Sequence, residues 1–520
     1  MTIEAEILRL DFPNKGFAQA FDPDTGERIT LRVKGVLPGQ RVRCVVTRNG
    51  SGRKEARLTE VVQQAPVETQ VPCTHFSVCG GCSYQTLDAQ AELALKEDQV
   101  KRLLNPVLER LQTGDDPEKA EEAIWDPPLD SPRRFGYRNK MEFTWGDSEK
   151  DGPLALGLHR RGSMYDIESV TDCRIVDEDY RKILKTSLQV FSPMHEQGVL
   201  SFYHRMTGEG YLRHLLVRKA AYTGEILVDL VTTTQRPAET EAGILDRFKE
   251  ALLQLSLDGC IVGILHTVND ARADAVRDEG TTVLYGQDHF YEELLGLRFR
   301  ITPFSFFQTN SYSAEVLYSK VREYVRMALA GNAPKTAASA RKPVVYDLYS
   351  GTGTIAQIVS PVAERVAGIE IVPEAVEAAK KNATDNGIEN CVFFAGDVLK
   401  LVDDPAVTET VGRPDLIILD PPREGIHPKA LPKILDFGVS SIIYVSCKPT
   451  SLTADLEGFL QNGYRVEKIC VCNQFPCSVH VETTVSLRKN SERPVDYVQI
   501  GIDAEDYYRI KDANKVVEKG

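Results

Sequence analysis

Cys447 closes the run Ile443-Tyr444-Val445-Ser446-Cys447-Lys448-Pro449, a strand of buried type that ends in a proline-locked turn. A cysteine is most often a small core hydrophobe, and Cys44, Cys260, Cys391, Cys470 and Cys472 are read that way. Cys447 differs because it lies at a strand end, one residue before Lys448, whose charge favours the nucleophilic thiolate. Farther on, in Asn473-Gln474-Phe475-Pro476-Cys477-Ser478-Val479-His480-Val481-Glu482, His480 and Glu482 fall on alternate positions, and either can act as a base. A thiolate and a base in the same half of a chain suit covalent catalysis.

Upstream of Cys447, three strand ends carry what an adenosine needs. Val344-Val345-Tyr346-Asp347-Leu348 runs into Tyr349-Ser350-Gly351-Thr352-Gly353-Thr354, a glycine turn that lets the backbone approach a ligand and opens a helix. The next strand, Arg365-Val366-Ala367-Gly368-Ile369-Glu370, ends in an acid placed for two ribose hydroxyls. The third, Cys391-Val392-Phe393-Phe394-Ala395-Gly396-Asp397, ends in an acid near where an adenine edge lies. Spacing from Asp347, in place of G-x-G-x-x-G, favours S-adenosylmethionine over a dinucleotide. A fourth strand, Leu416-Ile417-Ile418-Leu419, is followed by Asp420-Pro421-Pro422-Arg423. Pro-Pro can simply stiffen a loop. After three such strand ends, though, the turn reads as projecting a carboxylate and carbonyls into the crevice where open α/β sheets bind ligands.

A separate set is Cys73-x5-Cys79-Gly80-Gly81-Cys82, with Cys173 in Thr171-Asp172-Cys173-Arg174 as a distant fourth candidate. Zinc wants four ligands in a tetrahedron. A 4Fe–4S cluster takes four thiolates and accepts one from afar, so the spacing favours iron–sulfur.

These groups need elements to hold them. From Pro343 to Leu487 the pattern repeats strand, turn and helix, which is a βαβ series and a mostly parallel, two-sided sheet. Residues 1–64 alternate at period two between turn signals, including Asp22–Gly26, Leu37–Gly39 and Asn49–Gly52, and read as a small OB-like β-barrel. Residues 86–111 read as a long amphipathic helix packing on the catalytic domain. Residues 65–85 with 133–300 form a central α+β domain, 301–488 the catalytic domain, and 489–520 an extension to which no role is assigned, with one possible strand at Tyr497–Ile500. Gln112–Pro132 reads as a linker and Gly331–Lys342 as a surface-loop insert.

The 520 residues carry 62 Lys and Arg against 75 Asp and Glu, a net charge of −13, which alone argues against a generic nucleic-acid binder. Two stretches answer that objection. Arg28 to Arg57 holds nine basic residues and one acid, and Pro132–Lys140 holds four cations, two aromatics and no acid, suited to RNA backbone and base stacking. The acidic surplus is then expected on the face away from the Cys447 crevice. No apolar run of about 18 residues is present, so no membrane partner is expected. The N-terminus lacks the marks of a secretory leader and eleven cysteines are too few for a disulfide scaffold, which points to a cytoplasmic protein.

Taken in order, the cysteine set, Tyr137-Arg138-Asn139-Lys140-Met141, Phe306-Phe307-Gln308-Thr309-Asn310, the Asp347 motif, Asp420-Pro421-Pro422-Arg423, Ser446-Cys447-Lys448-Pro449 and His480-Val481-Glu482 resemble the RNA uracil-5-methyltransferase family along almost the whole chain. The resemblance implies a Rossmann-like methyltransferase domain with a TRAM-type N-terminal barrel, and a 4Fe–4S cluster on Cys73, Cys79, Cys82 and Cys173. It implies S-adenosylmethionine contacts from Gln308, Tyr349, Thr354, Glu370, Asp397 and Asp420, with Cys447 as nucleophile and Glu482 as base. The barrel favours 23S rRNA over tRNA as substrate, and a monomer is expected. Thr354, Tyr349 and Asn473-Gln474 stand where the family usually has Asn, Phe and Asp-Met, which puts the contacts of Thr354 and the support of Glu482 in question.

The chemistry explains the residues. Carbon 5 of uracil is a poor nucleophile until a thiolate adds at carbon 6. A base must later remove the proton from carbon 5, and the target base has to be unpaired or flipped out. Phe306 is read as a stacking group and Phe307 as core. Two other readings compete: a methyltransferase acting on an exocyclic amine, which needs no cysteine, and an iron–sulfur RNA-binding protein with no catalysis.

Overall fold

The computed structural model describes residues 2–22, 25–49, 54–112, 123–235, 241–272, 278–331, 343–402 and 404–490. The Gly50–Gly52 turn, residues 113–122 of the linker, the insert beyond Gly331 and the C-terminal segment with Tyr497–Ile500 lie outside the described residues.

Strands Thr2–Asp11, Lys15–Phe21, Arg28–Lys34, Arg41–Asn49 and Lys54–Gln63 close into a barrel. Period-two alternation produces it: Ile3, Ala5 and Ile7 point inward onto Leu31, Val33, Val42 and Cys44, while their neighbours face solvent. The basic stretch does not form an uninterrupted positive face. Closure sets Thr2–Asp11 beside Arg41–Asn49, so Arg41 pairs with Glu4 at 2.7 Å, Lys54 with Asp22 at 2.6 Å, and Arg43 with Glu4 and Glu60.

The central layer is a seven-stranded sheet in the order Thr281–Gly286, Cys260–Val268, Glu225–Thr232, Leu212–Lys219, Lys140–Asp147, Leu154–His159, Ile167–Ser169. Helices Glu178–Glu196 and Glu241–Leu253 bury Ile183, Phe191, Ile244 and Phe248 against Phe143, Leu215, Val228 and Ile264. Cys260, expected in a core, is exposed at the start of its strand.

A second seven-stranded sheet runs Cys391–Ala395, Arg365–Glu370, Val344–Leu348, Leu416–Leu419, Ser441–Ser446, Glu482–Lys489, Tyr464–Cys472. Only Glu482–Lys489 runs against the others. Both faces are covered, which is why strands such as Leu416–Leu419 are apolar along their length and fully buried. The strand order reverses at Val344–Leu348, and a ligand crevice belongs outside the carboxyl ends there. Helix Ala89–Leu111, capped by Asp88, lays Val100, Leu104, Val107 and Leu108 into the core beneath helix Pro449–Gln461 and strand Tyr464–Cys472. No helix among the described residues is long and apolar enough to cross a membrane.

Candidate active site

A crevice of about 1800 Å³ opens at those carboxyl ends, and Gln308, Tyr349, Thr354, Glu370, Asp397, Asp420, Cys447 and Glu482 all line it. Small-molecule pockets run roughly 300–1,000 Å³, so this one has room for a nucleoside beside a cofactor.

The glycine turn is shaped by its backbone. Tyr349, Gly351 and Gly353 have φ of +67°, +54° and +74°. The Tyr349 and Ser350 N–H groups both donate to the Ile369 carbonyl, at 2.9 and 3.0 Å, which ties the turn to the neighbouring strand. Glu370 accepts from the Gly351 N–H and the Val372 N–H, each at 3.0 Å. Each carboxylate oxygen keeps a lone pair for a diol, as a ribose needs. Ser350 Oγ is buried without a hydrogen-bond partner among the described residues, and the space beside Gly351 is open; both features fit a bound nucleoside. Asp397 also does local work, capping helix Val398–Leu401 by accepting from the Leu399 N–H at 2.9 Å. Asp347 lies fully buried behind the turn and accepts from the Ala356 N–H at 2.9 Å, fixing helix Thr354–Val359 that Thr354 begins. A methyl added at Gly353 would lie 2.6 Å from Phe393 Cε1 and 2.9 Å from Ala379 Cβ. Gly353→Ala is therefore expected to weaken S-adenosylmethionine binding and to cost about 1–3 kcal/mol for the left-handed backbone alone; titration calorimetry and thermal unfolding check this.

Asp420, Cys447 and Glu482 crowd together electrostatically. Burial pushes Asp420 up to about 7. Burial, then the charge of Asp420, holds Glu482 well above the carboxylate range, with Arg423 opposing. Cys447 is pushed up to about 11 by burial, then by Glu482 and Asp420, again against Arg423. The leading cationic influence on Cys447 is Arg423 of the Asp-Pro-Pro-Arg turn, ahead of the adjacent Lys448, which is the N-cap of helix Pro449–Gln461. The loop carrying Arg423 is fastened to that helix, with the Ser451 hydroxyl donating to the Arg423 carbonyl at 2.7 Å and Asp455 accepting from the Ile426 N–H at 3.0 Å. His480 is driven down to about 4, first by desolvation and then by Arg423, Arg138 and Lys96, so Glu482 is the better base at neutral pH.

Two expectations about charge need correction. Of the four cations in Pro132–Lys140, Arg134 pairs with buried Glu92 at 2.6 Å, Arg133 stacks on Tyr312 at 4.1 Å and Lys140 pairs with Glu142 at 2.9 Å; Arg138 lines the crevice. The crevice wall is not free of acid either. Among the described residues it holds Asp278, Asp288, Glu370, Glu374, Glu377, Asp397, Asp420 and Glu482 against Arg138, Arg300, Lys381 and Arg423. A pocket for a sulfonium and sugar hydroxyls calls for carboxylates, which places acid where an RNA surface alone would not.

Sequence reasoning also missed how the central domain sets the crevice. Asn139 donates to the Gln308 carbonyl at 2.9 Å and to Ser311 Oγ at 2.8 Å. Buried Arg218 donates to the carbonyls of Thr302 and Ser305 at 2.7 and 2.8 Å. Together they pin the loop that buries Phe307 and leaves Phe306 67% exposed on the crevice wall. Asn473 and Gln474 are fully buried and bonded, Asn473 to Asp130 and Lys96, Gln474 to the Asn310 carbonyl at 3.1 Å. Long-range partners of this kind leave no trace in local spacing.

Cys73, Cys79, Cys82 and Cys173 line a second, small cavity. The Gly81 N–H donates to Cys79 Sγ at 3.3 Å, and a Cβ on Gly81 would press on Leu158 at 3.2 Å. Among the described residues no three His, Cys, Asp or Glu side chains are grouped to hold a metal ion. The four thiols that face this cavity are the donor chemistry an iron–sulfur cluster uses.

The family described as tRNA (Uracil-5-)-methyltransferase matches residues 412–490. The chain is 41% identical over 488 residues to a protein of Clostridium tetani named as an uncharacterized RNA methyltransferase, covering 94% of this chain and 97% of that one. A protein of the same description from Caldanaerobacter subterraneus is 42% identical over 492 residues, covering 94% and 99%. Among solved structures, the Pyrococcus abyssi tRNA (uracil-54, C5)-methyltransferase in complex with S-adenosyl-L-homocysteine is similar with a TM-score of 0.66 at 22% identity, covering 93% of this chain and 100% of that chain; the likeness is one of fold.

Proposed function

Because this chain belongs to the RNA uracil-5-methyltransferase family, we propose that it methylates carbon 5 of uridine in 23S ribosomal RNA through a covalent bond between Cys447 and carbon 6. The observation that carries this is the single crevice on which Cys447, Glu482 and Asp420 open beside the glycine turn and Glu370. Bound S-adenosylmethionine supplies an electrophilic methyl group on a sulfonium. Cys447 Sγ bonds to carbon 6 and pushes the electrons of the ring double bond toward carbon 5, which takes the methyl. Glu482 then removes the proton from carbon 5. The C–H electron pair restores the double bond as the sulfur leaves. Arg423 and the N-terminal end of helix Pro449–Gln461 favour the thiolate as it forms. Gln308, Tyr349, Thr354, Glu370, Asp397 and Asp420 line the cofactor's place, and Phe306 offers a stacking face for the extruded base.

Ribosomal RNA is favoured by the N-terminal barrel, a fold suited to single-stranded RNA. The second reading is tRNA, the substrate of the Pyrococcus neighbour. Mapping 5-methyluridine in 23S rRNA and tRNA from cells with and without the protein decides between them; loss from neither removes the proposal.

Cys73, Cys79, Cys82 and Cys173 hold a 4Fe–4S cluster in this reading, as a staple with no part in methyl transfer, since that step moves no electron. Anaerobically prepared protein is expected to carry about four irons. Cys79→Ser is expected to lose iron and to melt at lower temperature. Iron analysis and calorimetry check both.

A further inference from the structure

The loop from Asn473 to Val481 joins strands Tyr464–Cys472 and Glu482–Lys489 and brings Phe475 and His480 onto the crevice wall. It has no ladder of its own, and buried charge holds it. Lys96, with no exposed surface, donates to Asn473 Oδ1 at 2.6 Å and to the Phe475 carbonyl at 3.0 Å. Glu92, equally buried, accepts from the Cys477 N–H with both oxygens, at 2.8 and 3.0 Å. It also pairs with Lys96 at 2.8 Å and with Arg134 at 2.6 Å. Arg134 reaches on to the carbonyls of Tyr84 and Leu87 at 3.1 and 2.7 Å. Cys477 has φ of +66°, a conformation that a residue with a side chain keeps only when its surroundings over-determine it. From the other side, its carbonyl accepts from the Ser83 and Tyr84 N–H groups, directly after Cys82, at 2.8 and 3.0 Å.

Burying the charges of Glu92 and Lys96, with Arg134 largely covered beside them, is costly, and apolar side chains of similar volume often stabilise a fold as well or better. Stability alone is therefore a poor reason for this network. What it does hold, in one conformation, is the segment that ends at Glu482. We propose that Glu92, Lys96 and Arg134 are positioning residues that fix this loop, so that Glu482 meets the proton on carbon 5 while Phe475 and His480 wall the crevice around it. The inference rests on the reading of Glu482 as the base.

A misplaced base stalls the reaction after methyl transfer, so the methylated ring stays bonded to Cys447. A merely structural defect lowers activity without that signature. In full-length, iron-loaded protein given RNA and methyl-labelled donor, Lys96→Met is expected to turn over about tenfold slower or worse, with the KM for RNA little changed. It is also expected to accumulate a labelled protein–RNA complex that survives denaturation. Arg134→Gln, at a site that is partly exposed, should give the same complex in smaller amount. Binding of S-adenosylhomocysteine at the parent's affinity identifies folded variants. Glu482→Gln is the control. If it accumulates the complex and folded Lys96→Met and Arg134→Gln do not, the positioning role is wrong. If Glu482→Gln accumulates none, the base assignment itself falls and this inference goes with it.

Discussion

Cys447→Ala is expected to lower methyl transfer to RNA by about 10⁴-fold or more, on the scale that removing a nucleophile reaches elsewhere, while S-adenosylmethionine binding stays near the parent's. The reason lies in the ring. Without sulfur on carbon 6, carbon 5 has no excess electron density and the methyl finds no acceptor. An enzyme acting on an exocyclic amine would keep most of its rate, because nitrogen brings its own lone pair. The same substitution should abolish the denaturation-resistant complex formed with 5-fluorouridine-containing RNA, in which the proton that Glu482 must remove is replaced by fluorine. Reactivity should also follow pH. With the thiol pushed up to about 11, only about 10⁻⁴ of Cys447 is thiolate at pH 7 in the free protein. Alkylation of this residue should therefore rise about tenfold per pH unit up to that value. A flat profile near neutrality would contradict the electrostatic account of the site.

Glu482→Gln should lower turnover by about 10²–10⁴-fold, the usual range for a general base, yet leave the first methyl transfer intact. Burial and Asp420 raise this carboxyl, so its anion is a stronger base than an exposed glutamate. The cost is that less of it is ionised at low pH. The rate of proton removal should thus climb with pH until the group is fully deprotonated, the opposite of what a catalytic acid would show. Glutamine keeps the shape and accepts no proton, so the methylated ring remains on Cys447 and appears as a labelled complex on a denaturing gel. His480, held to about 4, is too weakly basic to substitute. A His480→Gln protein that traps the complex while Glu482→Gln turns over normally would reverse the two roles.

Much of the site was legible because turns and strand ends are local chemistry. Gly351 and Gly353 are needed where φ is positive, Pro421-Pro422 and Pro449 stop strands at fixed places, and the acids at Glu370 and Asp397 follow apolar runs that form parallel strands, the first buried and the second at the sheet edge. The same holds for the barrel, whose alternation at period two decides which side chains face inward. Such signals need only a few neighbouring residues and mark Glu370, Asp397, Asp420 and Cys447, whereas Gln308, Tyr349 and Thr354 are indicated by the family resemblance alone; all of them line one crevice.

What the sequence could not decide was the partner of each charge. Arg134 sits in a stretch that reads as an RNA surface and lies instead against Glu92; Lys96 and Glu92, charged residues of the helix expected over 86–111, are wholly buried. Lys448 follows Cys447 directly, yet Arg423 is the cation with the larger effect on the thiol. A cation's effect depends on distance in space and on how far water is excluded, and both are set by contacts hundreds of residues apart, such as Lys96 with Asn473. Composition and spacing therefore determined which groups are present and at which strand ends; only the packed chain decided which of them are charged, paired or free to face a substrate.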